Sequence, residues 1–119
     1  MINRLTRKLT GKRFLLAAGL ILATTIASRA WAQDAKSVYD DKCASCHGAG
    51  GNGDGPAGAA LSPPAAPFAK ALPGKSDAWI AKATKEGGPA VGLSPTMPPF
   101  SDLTDDQVKG LVAYMKTLK

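Results

Sequence analysis

The chemistry of this chain is concentrated in five consecutive residues, Cys43-Ala44-Ser45-Cys46-His47, which hold both of its cysteines and its only histidine. On a helix, positions i, i+3 and i+4 share one face, so both sulfurs and the imidazole point the same way. The spacing C-x-x-C-H is the signature of covalent c-type haem attachment. Two thiols on one face can reach neighbouring vinyl groups of one porphyrin and form thioethers, and the imidazole after the second cysteine lies under the iron. Two other chemistries use the same residue types. A thiol–disulfide pair sits at a helix N-terminus after a strand, whereas residues 36–42 (KSVYDDK) read as helix. A structural zinc site needs four ligands, and the chain supplies no third cysteine and no second histidine. One covalently attached haem c, with its iron, is therefore the expected cofactor.

A six-coordinate iron needs a second axial ligand, and methionine sulfur is the remaining soft donor. Met1 opens a basic N-terminal segment. Met115 falls with Val108, Leu111, Val112 and Leu118 on the apolar face of a helical pattern and reads as a core residue. Met97 lies in Ser94-Pro95-Thr96-Met97-Pro98-Pro99-Phe100, where three prolines forbid regular helix and fix φ. A stiff loop presents a sulfur at low entropic cost. Met97 is the expected axial ligand opposite His47.

The elements that must position these groups are helical. Ser76 can cap a helix over residues 77–86 that Gly87-Gly88 ends. Thr104-Asp105-Asp106-Gln107 is a T-x-x-Q capping box before the last helix, with acids in its first turn. No segment alternates with strand period over a useful length. The expected fold is all-α, with three main helices at about 35–47, 77–86 and 105–118 and a short one near 57–61. Residues 61–68 (LSPPAAPF) are proline-rich and expected to be extended, wrapping one edge of the haem. The run 48–58 (GAGGNGDGPAG) contains two G-x-G-x-x-G strings, but neither follows a strand within a βαβ unit, so they read as loop glycines.

Across 119 residues the formal net charge is +6, which raises nucleic acid or an acidic membrane as partners. The distribution of that charge removes both. Arg4, Arg7, Lys8, Lys12 and Arg13 precede an apolar run over residues 14–27 (FLLAAGLILATTIA), and Ala30-Trp31-Ala32 follows. Basic, apolar, then A-x-A is the layout of a secretory signal peptide. The apolar run spans about 21 Å as a helix, short of a ~30 Å hydrocarbon core. Residues 1–32 are thus expected to be cleaved after Ala32, with an uncleaved anchor or a buried helix as the alternatives. Lys12-Arg13 is not an Arg-Arg pair, which favours export as an unfolded chain over the twin-arginine route. With Arg29, the segment holds six basic residues and no acid, and residues 33–119 balance nine basic against nine acidic residues. An 87-residue exported domain has a marginal apolar core and usually adds a disulfide, metal or cofactor. A bond between cysteines three positions apart would close almost no loop, which leaves the cofactor to complete the core.

These features, in this order along the chain, resemble the class I c-type cytochromes, small bacterial periplasmic electron carriers. The resemblance covers nearly all of residues 35–119. It rests on C-A-S-C-H-G at Cys43–Gly48, the Gly55-Pro56-Ala57 turn, the Met97-Pro98-Pro99-Phe100 loop and the closing Leu111-Val112-Ala113-Tyr114-Met115-Lys116. In that family a Leu-x-x-Tyr pair of the last helix packs across the first helix near a small residue and an aromatic, for which Ala35 and Tyr39 stand. The resemblance implies that the Pro56 carbonyl accepts a hydrogen bond from the ligating imidazole and fixes its tautomer; Pro56 also suits the first turn of a short helix. It further implies that the Trp79 indole N–H reaches a haem propionate, an alternative to plain core packing.

The implied function is a periplasmic one-electron carrier, not an enzyme, that meets transient donor and acceptor proteins and keeps no membrane anchor after cleavage. Three alternatives stay open: a haem subunit of a periplasmic dehydrogenase or reductase, a five-coordinate haem enzyme or sensor, and a haem-free thiol oxidoreductase. Charge is mixed along the domain, with net −2 over residues 33–60, +2 over 61–100 and zero over 101–119. That argues against a partner steered by one sign of charge and for a small, transient interface.

Overall fold

The computed structural model describes residues 34–118; the expected signal peptide and its cleavage point fall outside them. Helices joined by glycine- and proline-rich loops make up this region, with no β-strand among the described residues. α1 covers residues 34–42, α2 Ala44–His47, α3 Phe68–Ala71, α4 Asp77–Glu86 and α5 Asp105–Met115. Single 3₁₀ turns stand at Gly58–Ala60 and Gly88–Val91.

Local capping explains where the two longest of the later helices begin. The Ser76 hydroxyl accepts from the Trp79 N–H at 3.1 Å, and α4 ends at Gly87 with φ 84°. At α5 the full capping box forms: Gln107 N–H donates to Thr104 Oγ1 at 3.2 Å, and Thr104 N–H to Gln107 Oε1 at 3.0 Å. Thr104→Ala is expected to cost about 1 kcal/mol, read as a fall of roughly 4–8 °C in the Tm of a domain this size.

Three boundaries differ from the sequence-based expectation. The helix expected over 35–47 breaks at Cys43, whose φ of −117° lies far from the helical value. The last helix stops at Met115 instead of 118, because the N–H and the hydroxyl of Thr117 both donate to the Tyr114 carbonyl, at 2.9 and 2.7 Å, and tighten the final turn. Residues 61–67 lack regular structure, as expected, but Phe68 opens the unforeseen α3: the Pro67 carbonyl takes the N–H groups of Lys70 and Ala71.

The core lies where α1 meets α5. Tyr39 and Leu111 are fully buried, and Val108, Val112 and Met115 join them from the same face of α5. A Cβ placed on Gly110 would stand 3.3 Å from that of Ala35, so the two helices cross closely there. The Tyr39 and Tyr114 rings meet edge to face at 5.4 Å. The crossing expected for Ala35, Tyr39, Leu111 and Tyr114 is thus the one that forms. α4 lies along α5, with Lys85–Asp105 (2.8 Å) and Lys116–Asp77 ion pairs between them; exposed pairs of this kind contribute little.

Candidate functional site

α1 delivers the chain into a single turn that carries all three reactive groups. The Cys43 N–H donates to the Tyr39 carbonyl at 2.8 Å, and the N–H groups of Cys46 and His47 both donate to the Cys43 carbonyl, at 3.1 and 2.9 Å. The break at Cys43 therefore leaves Cys43, Cys46 and His47 on one turn. Both thiols are free; Cys43 is buried in the core and Cys46 half-buried. Burial, with Cys46 beside it, pushes the Cys43 thiol up to about 11. An activated cysteine is depressed below its free value, and Cys43 is shifted the other way.

The His47 ring lies 4.7 Å from the Phe68 ring, centroid to centroid. Burial holds the imidazole below its ordinary pKa, which favours the neutral form that can ligate a metal. Its Nδ1 is buried without a hydrogen-bond partner. Two free thiols and a largely desolvated imidazole on one turn are the donor set that a covalently held haem requires.

Two glycines close the turn. Gly48, directly after His47, has φ 78°, a left-handed conformation that suits glycine. Gly58 starts a 3₁₀ turn so near α2 that a Cβ there would collide with the Cys46 carbonyl oxygen. The Ala57 N–H donates to the Ser45 carbonyl at 2.9 Å, which fastens the Gly55-Pro56-Ala57 turn to α2. Pro56 itself is exposed. The imidazole Nδ1, the atom for which the resemblance implies the Pro56 carbonyl as partner, makes no hydrogen bond here. The turn is fastened through Ala57, and the imidazole faces Phe68.

Met97 and Met115 occupy opposite kinds of environment. Met115 is 6 % exposed and belongs to the core. Met97 is half-buried, and its backbone is fixed by the 88–94 segment: Gly88 N–H donates to its carbonyl at 3.0 Å, and its own N–H to the Ser94 carbonyl at 3.3 Å. Phe100, which ends the loop, donates its N–H to the Thr84 carbonyl of α4 at 3.0 Å. The Met97 loop thus hangs from the C-terminal end of α4, whereas α1 positions the Cys43–His47 turn. Trp79 is half-buried against the core, and the Lys75 ammonium lies 4.5 Å from its ring centre.

Sequence reasoning missed two contacts of the site. Phe68 packs on His47, and the Tyr39 hydroxyl donates to the Gly48 carbonyl at 2.7 Å. Tyr39 was legible as a packing residue from its place opposite the last helix, but no spacing links Phe68 to a histidine 21 positions earlier.

A family model described as Cytochrome c matches residues 32–119 of the chain. Neither the curated proteins nor the solved structures contain a match to it.

Proposed function

The chain belongs to the cytochrome c family, and from that premise we propose that it is a periplasmic single-haem electron carrier. Membership makes it a haem-binding electron-transfer protein with covalently bound haem c. The observation that carries the finer assignment is the gathering of two free thiols and an imidazole packed on Phe68 on the turn 43–47. When bound, the haem supplies a one-electron ferric–ferrous couple.

The chain's residues divide the remaining work. Cys43 and Cys46 would hold the porphyrin through thioethers, each formed by adding S–H across a vinyl group. His47 and Met97 would ligate its iron. A thioether ligand favours ferrous iron and raises the potential, and the apolar surroundings of Cys43 and Phe68 act in the same direction. The hydrogen bonds of Met97 to Gly88 and Ser94 fix its backbone, which favours a small reorganisation on transfer.

The location rests on the basic, apolar, A-x-A layout of residues 1–32. No helix among the described residues is long and apolar enough to cross a membrane. Export is checked by the mass of the secreted protein, which is expected to begin at Gln33. With charge balanced over residues 33–119, partners are met through a weak, short-lived contact.

Oxidised and reduced visible spectra with a redox titration test the carrier reading. A low-spin haem with a far-red sulfur-to-iron band when oxidised, and one reversible one-electron wave, is the expected result. A high-spin spectrum would replace it with the five-coordinate alternative, and disulfide reduction without haem absorbance with the thiol alternative.

A further inference from the structure

His47 is held in place from α1 by a residue eight positions before it. Tyr39 is fully buried, and its hydroxyl donates to the carbonyl of Gly48, the residue that follows the imidazole, at 2.7 Å. The same carbonyl accepts the Gly51 N–H at 3.1 Å, and the loop then returns to place the Gly53 N–H on the His47 carbonyl at 2.8 Å. Two donors thus converge on one carbonyl, one from within the loop and one from the helix behind it. The ring of Tyr39 acts separately. It meets Phe68 edge to face at 6.3 Å, and Phe68 lies 4.7 Å from the His47 ring. Phe68 also reaches the loop through its N–H, which donates to the Gly51 carbonyl at 2.8 Å.

We propose that Tyr39 is a positioning residue for His47, its hydroxyl locking the Gly48 turn and thereby the orientation of the imidazole that ligates the iron. The inference rests on the assignment of His47 as a ligand. The geometry favours a lock over incidental contact. The bond is short, enclosed and made to the residue directly after the imidazole. Burial pushes the phenol well above its ordinary pKa, so it remains a donor across the working pH range.

The decisive comparison is Tyr39→Phe against Tyr114→Phe in the holoprotein. Tyr39→Phe keeps the ring on Phe68 and removes only the donor; Tyr114→Phe removes a hydroxyl from the neighbouring ring of the same cluster. Tyr39→Phe is expected to speed amide exchange of Gly51 and Gly53 about tenfold, the effect of losing one buried hydrogen bond. It is also expected to shift the His47 ring-proton resonances of the reduced protein, with Tyr114→Phe leaving both at wild-type values. Unchanged exchange and resonances in Tyr39→Phe, or equal changes in both variants, would overturn the proposal. If Tyr39→Phe does not assemble, the wild-type protein supplies the test: a slowly exchanging Tyr39 hydroxyl proton with a cross-peak to Gly48 supports the lock, and its absence refutes it. A wrong ligand assignment announces itself differently, as a normal low-spin spectrum in His47→Ala.

Discussion

His47→Ala yields no normal low-spin cytochrome: either holoprotein fails to accumulate or the haem it carries has a grossly altered spectrum. The chain has no second histidine to take over. The nearest flexible replacement, water, cannot reproduce an imidazole held against Phe68 by a turn that Gly48 and Gly53 close. Losing a residue that merely supports a metal ligand typically costs 10–100-fold in affinity, and losing the ligand itself is expected to exceed about that range. The thioethers from Cys43 and Cys46 remain available, so some covalent haem can survive. The diagnostic is therefore the spectrum per mole of haem, read beside haem per mole of polypeptide. Folding damage is separable, because the core of Tyr39, Leu111, Val112 and Met115 does not include the imidazole. Far-ultraviolet circular dichroism that stays helical while the haem spectrum changes would place the loss at the iron. A wild-type low-spin spectrum would remove His47 from the site.

What was legible in the sequence was local. The limits of α4 followed from Ser76 and Gly87, and the start of α5 from Thr104 and Gln107, because each cap is made by residues within four positions of the end it satisfies. The C-x-x-C-H turn was legible for the same reason: its function depends on spacing within one turn. The end of α5 was not, since nothing in periodicity reveals that Thr117 diverts the Tyr114 carbonyl. Nor was the break at Cys43, a single dihedral that leaves the apolar pattern intact. The supports of the imidazole were hidden for a different reason. Phe68 and the Tyr39 hydroxyl reach it through a folded loop, and such contacts leave no period in the sequence. The attachment of the Gly55-Pro56-Ala57 turn to α2 through the Ala57 N–H was hidden in the same way, since a backbone bond carries no side-chain signal.

Met97→His keeps the haem low-spin but lowers its reduction potential by on the order of 100 mV or more, within the ~0.8 V span that axial ligands command, whereas Met115→Leu barely moves it. An imidazole donates more strongly than a thioether and stabilises ferric iron, so the direction follows from the ligand alone. The surroundings of the two methionines decide which can take that role. Met115 is 6 % exposed among Leu111, Val112 and the other core residues, a place where an unbranched apolar chain fills space. Its replacement by leucine conserves volume and is expected to cost less than about 1.5 kcal/mol. Met97 is half-buried outside that core, on a segment that Pro95, Pro98 and Pro99 stiffen and that Gly88 and Ser94 hold by its backbone. Those hydrogen bonds do not involve the side chain, so histidine at 97 inherits the same mounting. A redox titration of both variants, with the far-red band followed in the oxidised form, separates the outcomes. The band is expected to vanish in Met97→His and persist in Met115→Leu. A larger potential shift in Met115→Leu would mean that the sulfur on the iron comes from the core of α5, and that the proline loop serves the fold instead of the redox centre.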